Sequence, residues 1–474
     1  METFRHIGKK SGNIVRTGLG VGHSENIFAV LFEQISRQFK MKLRIFRVNM
    51  FDQLIAEGNV NRTFGKTFER VLNNDDAISY ALSIVEDPTT DRLLFAGTDD
   101  GLYVSINAGE KWQKWTQGFP TVSVKDLVIH PREPDLIIGT FGRAAWVLDD
   151  ITPLREAAMG TLSRKRKSKK LQLYKPPTSY LASYQQPTGS RFGADALYNG
   201  ENRGRGARIR YFYDKQADTL KDSLHLKIYD GQRLIRTLKQ KAPDSTGLYE
   251  FRWYLNEKGG DRASRSMRKR SSEPGGVTVL PGTFRLELSQ GDNNSSSSTI
   301  VVKDDPRINR PDGALQARYD AGKKIQAYNQ TAADAVNQLH SSKKIAEGFK
   351  SQLKAIDKEK YKVAIDSSTA IIKAIDREID IFLGKIDERQ GITRNPEQTP
   401  LNRLGTASWY SSSRPAGLTR TEKQLLTQAE DALQKALDQV NLFYTTEWKT
   451  YEKQMNALDI NPFKEVESFQ LKDN

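Results

Sequence analysis

The chain of 474 residues contains no cysteine, which excludes disulfides, thiolate metal sites and cysteine nucleophiles. It has no run of about 18 apolar residues, so no transmembrane helix is expected. The first residues do not read as a signal peptide. Met1 to Glu25 is polar, and the more apolar part after Ile27 is cut by Glu33, Arg37, Lys40, Lys42, Arg44 and Arg47. Histidine is scarce. His6, His23, His130, His225 and His340 are far apart in sequence, and none stands four residues from another, so no metal site is expected.

What is present is charge. Lys and Arg number 73 against 58 Asp and Glu, a formal net charge of +15, and hydrophobic residues make up 37%. The excess is concentrated. Six basic residues lie within Arg164–Lys170 and five within Arg262–Arg270, so these two runs supply eleven of the fifteen net charges. Two clusters of this kind read as solvated loops, and nucleic acid is an unlikely partner. The length suits about two to four domains.

Tyr80 to Asp150 holds the same pattern twice. Ser83 to Pro88, Leu93 to Thr98 and Gly101 to Ser105 form one copy, and Asp126 to Pro131, Leu136 to Thr140 and Trp146 to Asp149 form the other. Short apolar strands broken by Pro and Gly-Thr turns, with a period of about 40 to 45 residues, are the sequence signature of β-propeller blades. Two further stretches share a layout 44 residues apart, Asn61-Arg62-Thr63-Phe64-Gly65-Lys66-Thr67-Phe68 and Ser105-Ile106-Asn107-Ala108-Gly109-Glu110-Lys111-Trp112. Polar side chains at positions one and three (Asn61 and Thr63, Ser105 and Asn107) suit hydrogen bonds to a turn backbone. Gly65 and Gly109 suit positive φ. Phe68 and Trp112 suit packing between strands.

Both stretches resemble the Asp-box (BNR) hairpin, Ser-x-Asp-x-Gly-x-x-Trp, in degenerate form. With Gly139-Thr140-Phe141-Gly142-Arg143 and Trp146-Val147-Leu148-Asp149, the region resembles the last blades of bacterial sortilin-like BNR-repeat propeller proteins. That family has His in its final blade where this chain has Phe141. The resemblance implies a non-catalytic, secreted or periplasmic protein whose propeller binds protein or peptide. With no signal-like start, the chain is read as truncated. Its partner would be a protein or peptide ligand, or missing blades on another chain. Asp-boxes also occur in sialidases, so a glycoside hydrolase with its site on absent blades is the alternative reading. A sialidase needs a Tyr nucleophile, a carboxylate and three Arg, and two blades do not assemble that set. Arg143 is a candidate anion contact or a brace at a strand end. Asp99-Asp100 and Asp149-Asp150 are turn pairs that could bind calcium or hydrogen-bond their turns. No cofactor is expected.

The expected fold is multidomain β plus α. Residues 1–60 are an irregular or non-native start, 61–154 terminal propeller blades, 155–200 a linker and arm, 201–304 an Ig-like β-sandwich, and 311–462 a helical bundle. The sandwich rests on about seven short strands with alternating burial, and its insert Lys258 to Gly276 is expected to be mobile. The bundle rests on three- and four-residue steps. They run through Leu315, Tyr319, Ile325, Tyr328, Ala332, Val336 and Leu339, then Ile345, Phe349, Leu353 and Ile356, then Ile371, Ile375, Ile379, Phe382 and Ile386. After an irregular stretch, Gly391 to Gly417, Thr419 and Glu422 offer a capping box. The helix that follows has Glu447 as the polar exception on its apolar face. Too few blades to close a ring predicts a chain that folds well from about residue 200 and poorly before it.

Overall fold

The structure, a computed structural model, describes residues 4–7, 79–160, 171–182, 204–215, 223–267, 270–291, 294–385, 398–414 and 416–460. It is mixed β plus α, with several sheets and a C-terminal helical region, and it divides into two units. One is Met1–Leu255 with Pro281–Asp305, and the other is Asn256–Leu280 with Pro306–Asn474.

In the first unit, alternation and Gly-Thr turns produce two antiparallel sheets. β2 (Ala81–Glu86), β3 (Leu94–Thr98), β4 (Gly101–Ser105) and β5 (Gln113–Lys114) pair in chain order. β6 (Val124–Ile129), β7 (Leu136–Thr140) and β8 (Ala145–Leu148) do likewise, and β1 (Phe4–Ile7) pairs with β8. The registers match. Glu86 pairs with Leu94 as Ile129 pairs with Leu136, offsets of 43 and 42 residues. Each first strand has an irregularity at the same place, between Ala81 and Ser83 and between Val124 and Asp126. The repeat read from the sequence is therefore a repeat of hydrogen-bond register.

The sheets stack through apolar faces. Phe95, Leu102 and Val104 share a core with Leu127, Leu136, Ile138 and Leu148. Each such side chain removed from water contributes about 1.5–3 kcal/mol. α1 (Thr152–Ala158) has Pro153 in its first turn, where the missing N–H costs nothing, and adds Leu154, Ala157 and Ala158 to that core.

The same core reaches Tyr174 and Leu248. Leu248 lies on β14 (Gly247–Trp253), which pairs with β11 (Ala207–Tyr213), itself paired with β9 (Leu171–Leu173). A five-stranded sheet has the order β10 (Ser179–Tyr180), β18 (Asn294–Lys303), β17 (Gly282–Gln290), β12 (Leu224–Asp230), β13 (Arg233–Gln240). Leu224, Leu226 and Ile228 alternate inward, as do Phe284, Leu286 and Leu288. Part of the segment read as linker and arm thus enters sheets, as β9 and β10.

Two arginines of β11 tie these strands to the repeat. Arg208 Nη1 donates to Asp149 Oδ2 at 2.9 Å, and Arg210 donates to the carbonyls of Asp149 and Asp150 at 3.0 and 2.9 Å. Arg210 is 2% exposed. A core and buried charges that cross residue 200 give a different expectation from a boundary of stability there.

In the second unit, β15 (Asn256–Lys258) and β16 (Gly275–Thr278) form a hairpin that packs on α2 (Ala314–Ile356). The described residues of the insert, 258–267 and 270–276, carry strand pairing and ion pairs, and Arg268 and Lys269 lie outside the described residues. Glu257 is 3% exposed and accepts from Tyr319 Oη at 2.7 Å and Lys323 Nζ at 2.9 Å. Arg265 Nη1 pairs with Asp380 at 2.9 Å. Glu257→Gln keeps the shape and removes the charge. It should lower the denaturant-unfolding stability of the full chain by about 1–3 kcal/mol.

α2 packs with α3 (Lys362–Leu383), α4 (Pro400–Ser413), α5 (Arg420–Phe443) and α6 (Lys449–Asn456). α4 occupies part of the stretch read as irregular. Thr399 Oγ1 accepts from Asn402 N, Pro400 fills the first turn, and Leu404, Ala407 and Ser411 face inward. Ile345 is 51% exposed, and Ser342, Ala346 and Leu353 carry the buried stripe instead. A π-turn, Tyr444–Trp448, separates α5 from α6. Its extra residue turns Glu447 out toward Arg377, 3.4 Å away, and keeps Tyr451 and Met455 in the core. The polar exception on the apolar face is removed in this way.

Candidate functional site

The residues singled out in the sequence lie at opposite ends of the stacked sheets. β4 starts at Gly101 and finishes at Ser105, so the Ser105–Trp112 turn is at one end and the β3–β4 turn is at the other. Asn61, Thr63, Gly65 and Phe68 lie outside the described residues.

In the Ser105–Trp112 turn, Ser105 Oγ accepts from Gly109 N at 2.9 Å and donates to Asn107 Oδ1 at 2.9 Å. Asn107 Oδ1 accepts from Lys111 N at 3.0 Å. Ala108 and Gly109 have φ of 60° and 84°. Trp112 is buried with Ala81, Leu94, Ala96 and Tyr103. The Ser105 and Asn107 side chains bond within the turn, and Ala108 N bonds Arg92 O at 2.9 Å, so the turn holds β4 and β5.

Near the same end the two repeats share a second device. Asp87 Oδ1 accepts from Thr89 N at 2.9 Å and Thr90 N at 3.1 Å. In the second repeat His130 Nδ1 accepts from Arg132 N at 3.2 Å and Glu133 N at 3.1 Å. The other oxygen of Asp87 receives Arg155 of α1, Nε at 2.8 Å and Nη2 at 2.7 Å. Beside it, burial pushes the Glu86 carboxyl up from 4.5 to about 7, with Asp91 and then Asp87 adding to the effect. A raised carboxyl gives stability that is present at low pH and lost as pH rises from 4.5 through about 7. Glu86→Gln should therefore stabilise the chain at pH above that window, by about 1 kcal/mol once solvent screening is allowed for, and change little below it. Thermal midpoints at the two pH values check this.

The opposite end carries the candidate Arg143. Here Asp99 N bonds Tyr80 O at 3.3 Å, and Phe141 N bonds Ser123 O at 2.9 Å. Asp100 is tied down by Lys114 Nζ at 2.7 Å, Thr98 Oγ1 at 2.6 Å and Tyr103 Oη at 3.2 Å. Burial pushes this carboxyl up, and these hydrogen bonds outweigh it and hold it below its ordinary value. At the other end of the sheet, where Leu148 pairs with Leu136, Asp149 and Asp150 face Arg208 and Arg210. Of the carboxylates read as calcium ligands or turn braces, Asp100 and Asp150 accept from turn groups, Thr98 Oγ1 and Thr152 N (3.2 Å), and Asp100, Asp149 and Asp150 also pair with cations. The Thr140–Ala145 turn stands out from the sheet. Thr140 N and Oγ1 both donate to Ala144 O, and Trp146 Nε1 donates to Arg143 O at 2.9 Å. On this pinned turn Phe141 is 73% exposed and Arg143 is exposed. Lys125 Nζ lies 5.8 Å from the Phe141 ring centre.

In the second basic run Arg265 pairs with Asp380, and Arg270 with Asp261 at 2.8 Å. Arg164–Lys170 lies outside the described residues. Among the described residues no helix is long and apolar enough to cross a membrane.

No family model matches the chain, and no curated protein matches it. Among solved structures it is similar to the extracellular domain of a protein named as a hybrid two component system from B. thetaiotaomicron, at 9% identity and a TM-score of 0.16. That match covers 52% of this chain and 28% of the other, and a likeness at this level carries no argument about fold or function.

Proposed function

We propose that the chain is a non-catalytic protein- or peptide-binding scaffold of the extracytoplasmic, sortilin-like BNR-repeat type. The repeated register of β2–β4 and β6–β8 supports reading these sheets as propeller blades. The Ser105–Trp112 hydrogen bonds support the Asp-box reading. The five- and three-stranded sheets, with Trp253 against Phe284 at 5.3 Å, support an Ig-like sandwich.

The observation that carries the functional reading is the Thr140–Ala145 turn. It presents an aromatic ring and a guanidinium on backbone already fixed by hydrogen bonds. Binding then requires little ordering, and Phe and Arg are residue types that anchor protein interfaces. A photo-crosslinking residue at Phe141, in the protein expressed in its source organism, should give protein adducts. The same residue at Tyr254, 63% exposed, should not. Absence of adducts at 141, or equal adducts at both sites, contradicts the proposal.

A further inference from the structure

Two acids fall on apolar stripes of the helical unit, close enough for the charge of one to act on the other. On α3 the buried stripe includes Ala374, Ile375, Ile379 and Phe382, and Glu378 stands in it, four residues from Ala374 and four from Phe382. Its Oε2 atom is shut off from water and has no hydrogen-bond partner. The second acid is Glu447 on the π-turn, which accepts from Arg377 at 3.4 Å. Burial pushes the Glu378 carboxyl above its ordinary value, Glu447 adds to the rise, and Arg377 opposes it. The other charged groups on the elements around α3 are engaged elsewhere. Lys343 of α2 and Arg265 of the insert are held by Asp376 and Asp380 at 2.6 and 2.9 Å. His340 of α2 bonds Ser264 O, Arg403 of α4 bonds Gln428, and Asp438 of α5 accepts from Gln434.

We propose that Glu378 is a pH-dependent latch on the π-turn and α6. With Glu378 protonated, Glu447 has the Arg377 guanidinium and the seam between α3 and the π-turn stays closed. Once ionised, Glu378 sets a second carboxylate beside Glu447, with one oxygen that neither water nor a donor reaches. Lifting Tyr444–Asn456 from α3 returns that carboxylate to water. The π-turn interrupts the α-helical ladder, so this segment can leave without unravelling α5. Two phenols tie the segment down, Tyr444 to Ser342 and Tyr451 to Ser368, each at 3.0 Å. Burial holds both phenols above their ordinary value, so they stay neutral over the range in which a carboxyl titrates. The sign follows from linkage. Glu378 has a raised carboxyl in the closed state and an ordinary one in the open state. Closure is therefore favoured fully below 4.5 and loses that support as pH rises through the raised value.

Hydrogen exchange of the full chain by mass spectrometry, at pH 5 and pH 8 and corrected for intrinsic exchange rates, reads the opening directly. Protection of peptides within residues 444–456 should fall by about threefold or more between the two pH values. Peptides of α2 around Ala332–Leu339, in the same core, should fall less. Glu378→Gln keeps the shape and cannot ionise, so it should abolish the difference and bring protection at pH 8 to its pH 5 level. Glu447→Gln leaves Glu378 in place and removes the acid beside it, so it should shrink the fall without abolishing it. This second variant reads the same seam from its other side and does not rely on glutamine being tolerated at 378. Equal protection of the unaltered chain at the two pH values overturns the proposal. So does a fall that neither variant alters, or one shared equally by the α2 peptides.

Discussion

Gly97→Ala should lower the stability of the chain by about 2–3 kcal/mol, while Gly139→Ala should change it by no more than about 0.5 kcal/mol. The two glycines hold the same place in the two repeats, opposite Ser83 and Asp126. Neither has positive φ, so backbone preference does not separate them. Their surroundings do. A Cβ at Gly97 would lie 2.6 Å from Val124 Cγ1 and 2.8 Å from Val124 O, and would also press on Ser83 Oγ. A carbonyl oxygen of a neighbouring strand cannot rotate away, so the sheets themselves would have to part. At Gly139 the nearest atom is 3.5 Å away, ordinary van der Waals contact. Urea unfolding of the two variants, side by side, measures the difference. Equal costs would mean that the first sheet is not stacked on β6.

Asp87→Ala should cost more, about 3–5 kcal/mol. The carboxylate is 0% exposed at its side chain and uses both oxygens, one for two backbone N–H groups and one for Arg155. Truncation strands a guanidinium that is itself only 16% exposed, and leaves two turn donors unmet. The equivalent His130→Ala should cost about 1 kcal/mol, because His130 accepts the same pair of N–H groups from a partly exposed position. His130→Asp should restore the turn, since a carboxylate fills that place one repeat earlier. Thermal unfolding of the three variants ranks them, and a His130→Ala loss as large as that of Asp87→Ala would contradict the role given to Arg155.

What could be read in advance follows from how local the cause is. The repeat was legible because period-2 strands and Gly-Thr turns recur at fixed spacing, and the register of β2–β4 and β6–β8 follows that spacing. The use of Ser105, Asn107 and Gly109 was legible because the turn satisfies itself within eight residues. Long-range partners were not. Nothing near Asp149 in sequence points to Arg208, 59 residues on, and Glu257 finds Tyr319 and Lys323 across 62 and 66. Ile345 fitted a helical step, but the stripe drifts along a helix of 43 residues until Ala346 takes the buried place. Glu447 looked like a charge in a core because a π-turn is not marked by hydrophobic period. Arg143 was legible as a turn residue, but the exposure of Phe141 beside it was not. The row Val128–Ile137–Val147 is apolar like Val85–Phe95–Val104; only the stacking reveals which of the two is the more exposed.

The central claim is that the repeat sheets and the strands after residue 200 are one folding unit, joined through a shared core and through Arg208 and Arg210. Native-state hydrogen exchange by mass spectrometry tests it most directly. Amides of β3, β4, β7, β11 and β14 should open together with one free energy, and Arg210→Met should lower that free energy for all of them. Rapid exchange of residues 79–150 alongside full protection of residues 204–303 would contradict it, and would put the boundary of stable structure near residue 200.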